Sequence, residues 1–284
     1  MGKGPFDRLR FGTAGVPHSA ATRSTVDGIG AVATLGLDNM EVEFVHGVRM
    51  KEEKAREVGE LATKAEITLT AHGPYYINLN SQEKKKREAS ITRILDTARM
   101  GHHMGAYSVT FHAAFFMKQD PEKVYGVVTD GMKRIMDTLH DEGIDDLWVR
   151  PELSGKPVQF GSIDEIIRVS QDVEGVLPCI DFSHHHARSS GGGNTREAYR
   201  EIMVKMEEGL GREALELMHA HISGIEYGPK GERNHLNLPD SDMDFRSLVE
   251  VLCEFGARGA ITCESPNLEE DALLLKNTYL KRRP

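Results

Sequence analysis

The chain has 284 residues, 39% of them hydrophobic and 28% charged, with a net charge of −9 at pH 7. No apolar run approaches the ~18 residues that a membrane span needs, and the negative balance argues mildly against a nucleic-acid partner held by global electrostatics. Three cysteines, Cys179, Cys253 and Cys263, are odd in number and lie in apolar runs, so they read as buried free thiols and not as a disulfide framework or a zinc finger.

The N-terminal stretch from Met1 to Phe6 has no apolar signal region, and a cytoplasmic protein is expected. Leu9 to Gly12 reads as a short strand. Ser24 is placed to cap a helix whose apolar face runs through Ile29, Val32 and Leu35. Met40 to Val45 alternates like a strand. Glu52 to Lys64 spaces Ala55, Val58 and Leu61 for one helix face. Strands are expected at Ile67–His72, Ser108–His112, Leu147–Glu152, Val176–Asp181, Leu217–Ser223 and Ala260–Glu264. Helices are expected between them: Gln82–Met104, Pro121–Asp141, one capped by Ser162 to Val173, one capped by Thr195 to about Glu208, a short one near Arg212–Glu216, Asp244–Phe255 and Leu268–Leu280.

Eight strands in strict alternation with helices imply a parallel sheet with helical crossovers. The predicted fold is α/β, a single (β/α)8 TIM barrel forming one domain over residues 1–284, with its site at the C-terminal ends of the strands. Phe11-Gly12-Thr13-Ala14-Gly15 is only a weak approximation to a phosphate loop, because no helix begins directly after it.

Those strand ends carry the chemistry. The third strand ends at His72, the fourth at His112, the fifth at Glu152 and the sixth at Asp181, with His184 just beyond. The seventh holds His219 and His221, and the eighth ends at Glu264. A loop leaving the sixth strand is expected to aim Asp181 and His184 at neighbouring cations. His219 and His221 are read as pointing to opposite sides of the sheet, with His221, nearer the strand end, facing the site. Converging carboxylates would repel and raise one another's pKa values. Divalent ions resolve that, and a mixed imidazole–carboxylate set suits zinc, with manganese or iron as alternatives. Two ions sharing one carboxylate, here Glu152, would generate hydroxide at neutral pH and stabilise the entering and leaving oxygens of a phosphoester.

The stretches His72-Gly73-Pro74-Tyr75-Tyr76-Ile77-Asn78-Leu79, Phe111-His112, Pro151-Glu152, Asp181-Phe182-Ser183-His184, His221 and Glu264-Ser265-Pro266 together resemble endonuclease IV. The likeness spans nearly the whole chain in the same order. It implies a trinuclear zinc cluster that cleaves the DNA backbone 5′ to abasic sites in base excision repair. On that resemblance His72, His112 and Glu152 would hold one zinc, and Glu152, Asp181, His221 and Glu264 a second. His184 would hold a third, and Tyr75 would lie beside the substrate phosphate, with Glu152 and Glu264 taking part in catalysis. The chain departs from the family where the third ion needs Asp-x-His: it reads Gly231-Glu232-Arg233-Asn234-His235. Glu232 and His235 are the expected ligands there. The loop after the second strand would enter the DNA groove, with Arg49 reaching in and Met50 as a wedge. The expected partner is double-stranded DNA with abasic sites, bound by a monomer without a membrane. Two other functions fit parts of the pattern. One is a single-metal sugar isomerase or epimerase of the xylose-isomerase-like barrels, which needs only a Glu, Asp, His, Glu set. The other is a non-catalytic binding protein on an old catalytic frame.

Overall fold

The computed structural model describes residue 4 and residues 6–282, so the N-terminal stretch read for a signal region falls largely outside it. Eight parallel strands form one sheet: β1 (Leu9–Ala14), β2 (Asn39–Glu43), β3 (Thr68–His72), β4 (Ser108–Phe111), β5 (Trp148–Pro151), β6 (Cys179–Asp181), β7 (Met218–Ile222) and β8 (Gly259–Cys263). Their order is β5-β4-β3-β2-β1-β8-β7-β6. Parallel bridges from Val149 to Val176 and from Glu152 to Cys179 then link β5 to β6. The sheet is nearly closed, and the fold is the expected TIM barrel.

Helices cover the outside. α1 (Thr25–Thr34), α2 (Glu52–Lys64), α3 (Lys84–Met104), α4 (Pro121–Asp141) and α5 (Ile163–Asp172) follow the first five strands. Their starts are written locally. Ser24 accepts from the Asp27 N–H, Asp120 precedes Pro121 and accepts from two backbone N–H groups, and Ser162 with Glu165 forms a reciprocal capping box. Each such cap stabilises its helix by about 1 kcal/mol.

Strand alternation decides what lies inside. On β7, Met218, Ala220 and Ile222 belong to the apolar core, while His219 and His221 turn inward. His219 Nδ1 lies 2.9 Å from the hydroxyl of Ser108 on β4, and Asn39 on β2 reaches Thr262 on β8 at 3.1 Å. Neither pair of strands is adjacent in the sheet, so both contacts cross the lumen. The expectation that His219 and His221 point to opposite sides is therefore corrected. Residues two apart on a strand share a face, and both imidazoles face the interior. Fully buried Arg150 sits lower, its guanidinium donating to the carbonyls of Pro178 and Leu217 at 2.9 and 2.7 Å.

The second correction concerns the His-rich segment after β6. It is a helix, α6 (Phe182–Arg188), and not a loop. Asp181 ends the strand and caps the helix: its Oδ1 accepts the His184 N–H at 2.6 Å. The three-residue spacing is thus that of an N-cap, and it brings His184 back over the barrel mouth. Helices α7 (Arg196–Leu210), α8 (Arg212–Glu216), α9 (Phe245–Glu254) and α10 (Glu269–Arg282) complete the shell.

Candidate metal centre at the barrel mouth

The strand-end residues converge on three adjoining groups. His72, His112 and Glu152 form the first, Glu152, Asp181, His221 and Glu264 the second, and His184, Glu232 and His235 the third; within each, one ligand atom per residue lies within 4.8 Å of the others. Glu152 joins the first two. Its Oε2 is 3.0 Å from His72 Nε2 and 3.7 Å from His112 Nε2. Its Oε1 is 3.5 Å from His221 Nδ1, which is 3.4 Å from Glu264. His184 Nδ1 lies 3.1 Å from both Glu152 and Asp181, and its Nε2 is 3.6 Å from Glu232.

Backbone carbonyls set the tautomers of three imidazoles. A carbonyl only accepts, so the nitrogen facing it carries the hydrogen. His72 Nδ1 faces the Gly73 carbonyl at 2.7 Å, His184 Nδ1 faces Leu153 at 3.0 Å, and His235 Nδ1 faces Glu264 at 3.1 Å. In each ring Nε2 is left free for the centre. Metal-binding histidines are commonly held this way.

Third-group geometry depends on a β-bulge. Gly224–Gly228 pairs antiparallel with Gly231–Leu236, and the register slips between Glu226 and Tyr227 so that Asn234 opposes Glu226 while Glu232 opposes Tyr227. Arg233 is the extra residue. In a regular strand Glu232 and His235, three apart, would face opposite sides; the bulge puts them on the same one. Asn234 turns away and donates to Glu226 at 3.0 Å. Gly155 permits the close approach of the hairpin: a Cβ there would stand 2.8 Å from Glu232 and 2.9 Å from His184.

Charge is concentrated and partly unbalanced. Glu152 Oε1, Asp181 Oδ2, His221 Nδ1 and one Glu264 oxygen are buried with no hydrogen-bond partner. Each unpartnered buried polar atom costs about 1–3 kcal/mol, so a cation bound among them fits, and the mixed oxygen–imidazole donor set suits zinc. Burial opposes ionisation of Glu152, but His112, His184, His221 and His72 more than offset it and hold its carboxyl well below the usual range. Burial, reinforced by Glu264 and Glu152, pushes Asp181 up against the opposing pull of His184. Burial lowers His112 to about 4, so it is neutral at pH 7 and its lone pair is available. Burial also opposes the charge on His72, yet its contact with Glu152 raises it to about 10.

Two carboxylates on β2 belong to this neighbourhood without having been expected. Glu41 contacts both His219 and His221, at 2.9 and 3.0 Å. Burial raises Glu43 to about 8 despite nearby His72. Their signal is legible in the sequence: Glu41 and Glu43 occupy one face of the alternating run Met40 to Phe44.

Tyr75 is exposed beside the centre, its ring 6.4 Å from that of His72. A cleft of about 700 Å³ opens next to it, lined among others by Tyr76, Asn78, Lys85, Lys86 and Arg93. On the loop after β2, Arg49 is exposed, but Met50 is half-buried and packs on the core. Met50, the expected wedge, thus keeps only part of its side chain at the surface.

Residues 29–278 match the family model described as xylose isomerase-like TIM barrel. An uncharacterized protein of Methanocaldococcus jannaschii is 42% identical over 271 residues, covering 95% of this chain and 97% of that protein. Apurinic-apyrimidinic endonuclease 1 of Plasmodium falciparum is 23% identical over 215 residues, covering 72% of this chain but only 34% of that longer protein. Among solved structures, endonuclease IV from Thermus thermophilus superposes with a TM-score of 0.72 at 15% identity, covering 95% of this chain and 98% of that one. A D-tagatose 3-epimerase-like protein superposes with a TM-score of 0.71 at 18% identity, covering 95% and 96%. At such identities the two structures speak to the fold alone.

Proposed function

The chain belongs to the xylose isomerase-like TIM barrel family, and from that premise we propose that it is a zinc-dependent phosphodiesterase that cuts DNA 5′ to abasic sites, as endonuclease IV does. The observation that carries this reading is the third group. A single-ion isomerase needs the Glu152, Asp181, His221 and Glu264 set, but not His72, His112, His184, Glu232 and His235 converging beside it.

When bound, two or three zinc ions, or manganese or iron in their place, would supply a hydroxide at neutral pH and neutralise charge on the phosphate. This chain's own residues do the rest. Glu152 ties the first group to the second. Glu264 closes the second group from β8, and its carbonyl orients His235 of the third. Tyr75, exposed with its ring 6.4 Å from that of His72, would offer its hydroxyl to a phosphate held over the centre. Lys85, Lys86 and Arg93 along the cleft, with exposed Arg49 on the loop after β2, would offer the backbone of a DNA duplex cationic contacts that the net charge alone does not suggest. The unit proposed to act is the monomer in the cytoplasm; among the described residues no helix is long and apolar enough to cross a membrane.

Protein purified without chelator should incise a duplex carrying one abasic site, lose that activity on stripping the metal and regain it with zinc. Absence of cleavage by a metal-replete sample would overturn the proposal. The fold shared with the epimerase-like protein supports a second reading, a single-metal sugar epimerase. About one ion per chain together with turnover of a ketose would select it.

A further inference from the structure

Beneath the mouth of the barrel lies a buried polar network that none of the three groups uses. Glu41, His219 and Ser108 are each fully buried. They come from β2, β7 and β4, three strands that are not sheet neighbours. The two oxygens of Glu41 divide between two imidazoles: Oε2 is 2.9 Å from His219 Nε2, and Oε1 is 3.0 Å from His221 Nε2. The far nitrogen of His219 meets the Ser108 hydroxyl at 2.9 Å. The far nitrogen of His221 faces Glu152 and Glu264.

We propose that Glu41 is a positioning residue for the centre, holding His221 as the tautomer whose Nδ1 lone pair points at the cation, with His219 and Ser108 keeping Glu41 itself in place. A carboxylate offers only acceptors, so each ring nitrogen beside it carries a hydrogen. His221 Nε2, at 3.0 Å, is the nitrogen nearer to a carboxylate and takes the hydrogen, while Nδ1, 3.4 and 3.5 Å from Glu264 and Glu152, is the one left for a cation held between those two carboxylates. The hydrogen of His219 likewise goes to Nε2, so its Nδ1 accepts from Ser108. Ser108, His219, Glu41 and His221 thus form one buried chain of polar contacts, in which the two Glu41 oxygens meet the two Nε2 atoms at 2.9 and 3.0 Å as ion-pair contacts without hydrogen-bond alignment. His72, His184 and His235 each rest their outer nitrogen on a backbone carbonyl, whereas His221 rests its own on a side-chain carboxylate. Carboxylate partners of metal-bound histidines raise ligand basicity and fix ring orientation, and their loss typically weakens metal binding about 10- to 100-fold.

This inference rests on the reading that a cation binds His221, but not on the substrate. Nitrogen NMR of the histidine-labelled full chain with zinc should show both His221 and His219 protonated at Nε2. A His221 protonated at Nδ1 would refute the proposal without any mutant. Chelator competition should then find zinc bound about 10- to 100-fold more weakly in Glu41→Gln, with a smaller loss in His219→Gln and unchanged far-ultraviolet circular dichroism in both. Wild-type affinity in Glu41→Gln would also refute it while leaving the metal centre standing. A wild-type chain that takes up no zinc at all would remove the centre, and this inference with it.

Discussion

Glu152, Asp181, His221 and Glu264 sit on barrel strands or within one residue of their ends, whereas Glu232 and His235 hang from a hairpin outside the barrel sheet. Within the first set Glu152 is 1% exposed, Asp181 and His221 are fully buried and the side chain of Glu264 keeps 13%, while that of Glu232 retains 19%. The strand-end ligands are placed by parallel pairing that register enforces throughout the barrel. The hairpin ligands are placed by one bulge and one glycine. A single inserted residue can therefore retune the third group while the other two stay as they are. The strand-end groups should be the tighter and more uniform metal sites, and the third the weaker and more adjustable one.

The strongest way to break this contrast is at Glu152, which serves both strand-end groups. Glu152→Gln should empty both in elemental analysis and lower incision by at least about a hundredfold, the scale of a lost electrostatic contact at a reacting centre. Retention of wild-type metal content would contradict the shared role.

Next in size, His235→Ala should remove only the hairpin ion, leaving strand-end content intact and lowering activity about 10- to 100-fold. Asn234→Ala, by contrast, should change metal content little. The opposite ranking would mean that the bulge does not choose the ligand.

Protons give a third test. In the metal-free chain His72 is raised to about 10, by Glu152 against the opposing effect of burial, and His184 and His221 are also raised well above 6.5 against the same opposition. His72 is thus protonated at pH 7, and zinc must displace its proton. Titration calorimetry in buffers of different ionisation enthalpy should show net proton release near pH 7, and affinity should rise with pH. The stability that protonated His72 lends the metal-free fold is fully present below about 6.5 and is lost as pH rises through about 10.

The smallest effect is a control. Ser162→Ala removes the cap of α5, and thermal unfolding should register about 1 kcal/mol of lost stability. Metal content should not change, because α5 carries none of the ligands.

Most of the barrel is legible in the sequence because its signals are local. Alternation at Ser108 to His112, caps at Ser24 and Ser162, and polar residues closing one strand after another are each contained within a few positions. The same short windows also mislead. His219 and His221 suggest opposite faces only if the two-residue period of a strand is overlooked, and the Asp181 to His184 spacing suits a loop as well as a helix cap. The alternating run from Met40 to Phe44 puts Glu41 and Glu43 on one face, but what they meet stays hidden, because a carboxylate on an alternating strand has no visible partner until the sheet curls.

By itself, then, the order of residues determined the alternation of strands and helices and the kind of side chain that ends each strand, since period and capping depend on near neighbours. Only the tertiary structure decided that Arg233 is the bulged residue that turns His235 and not Asn234 inward, and that Glu41 from β2 meets His219 and His221 from β7. Both depend on register and on closure of the sheet, where strands far apart in sequence approach across a lumen only a few side chains wide.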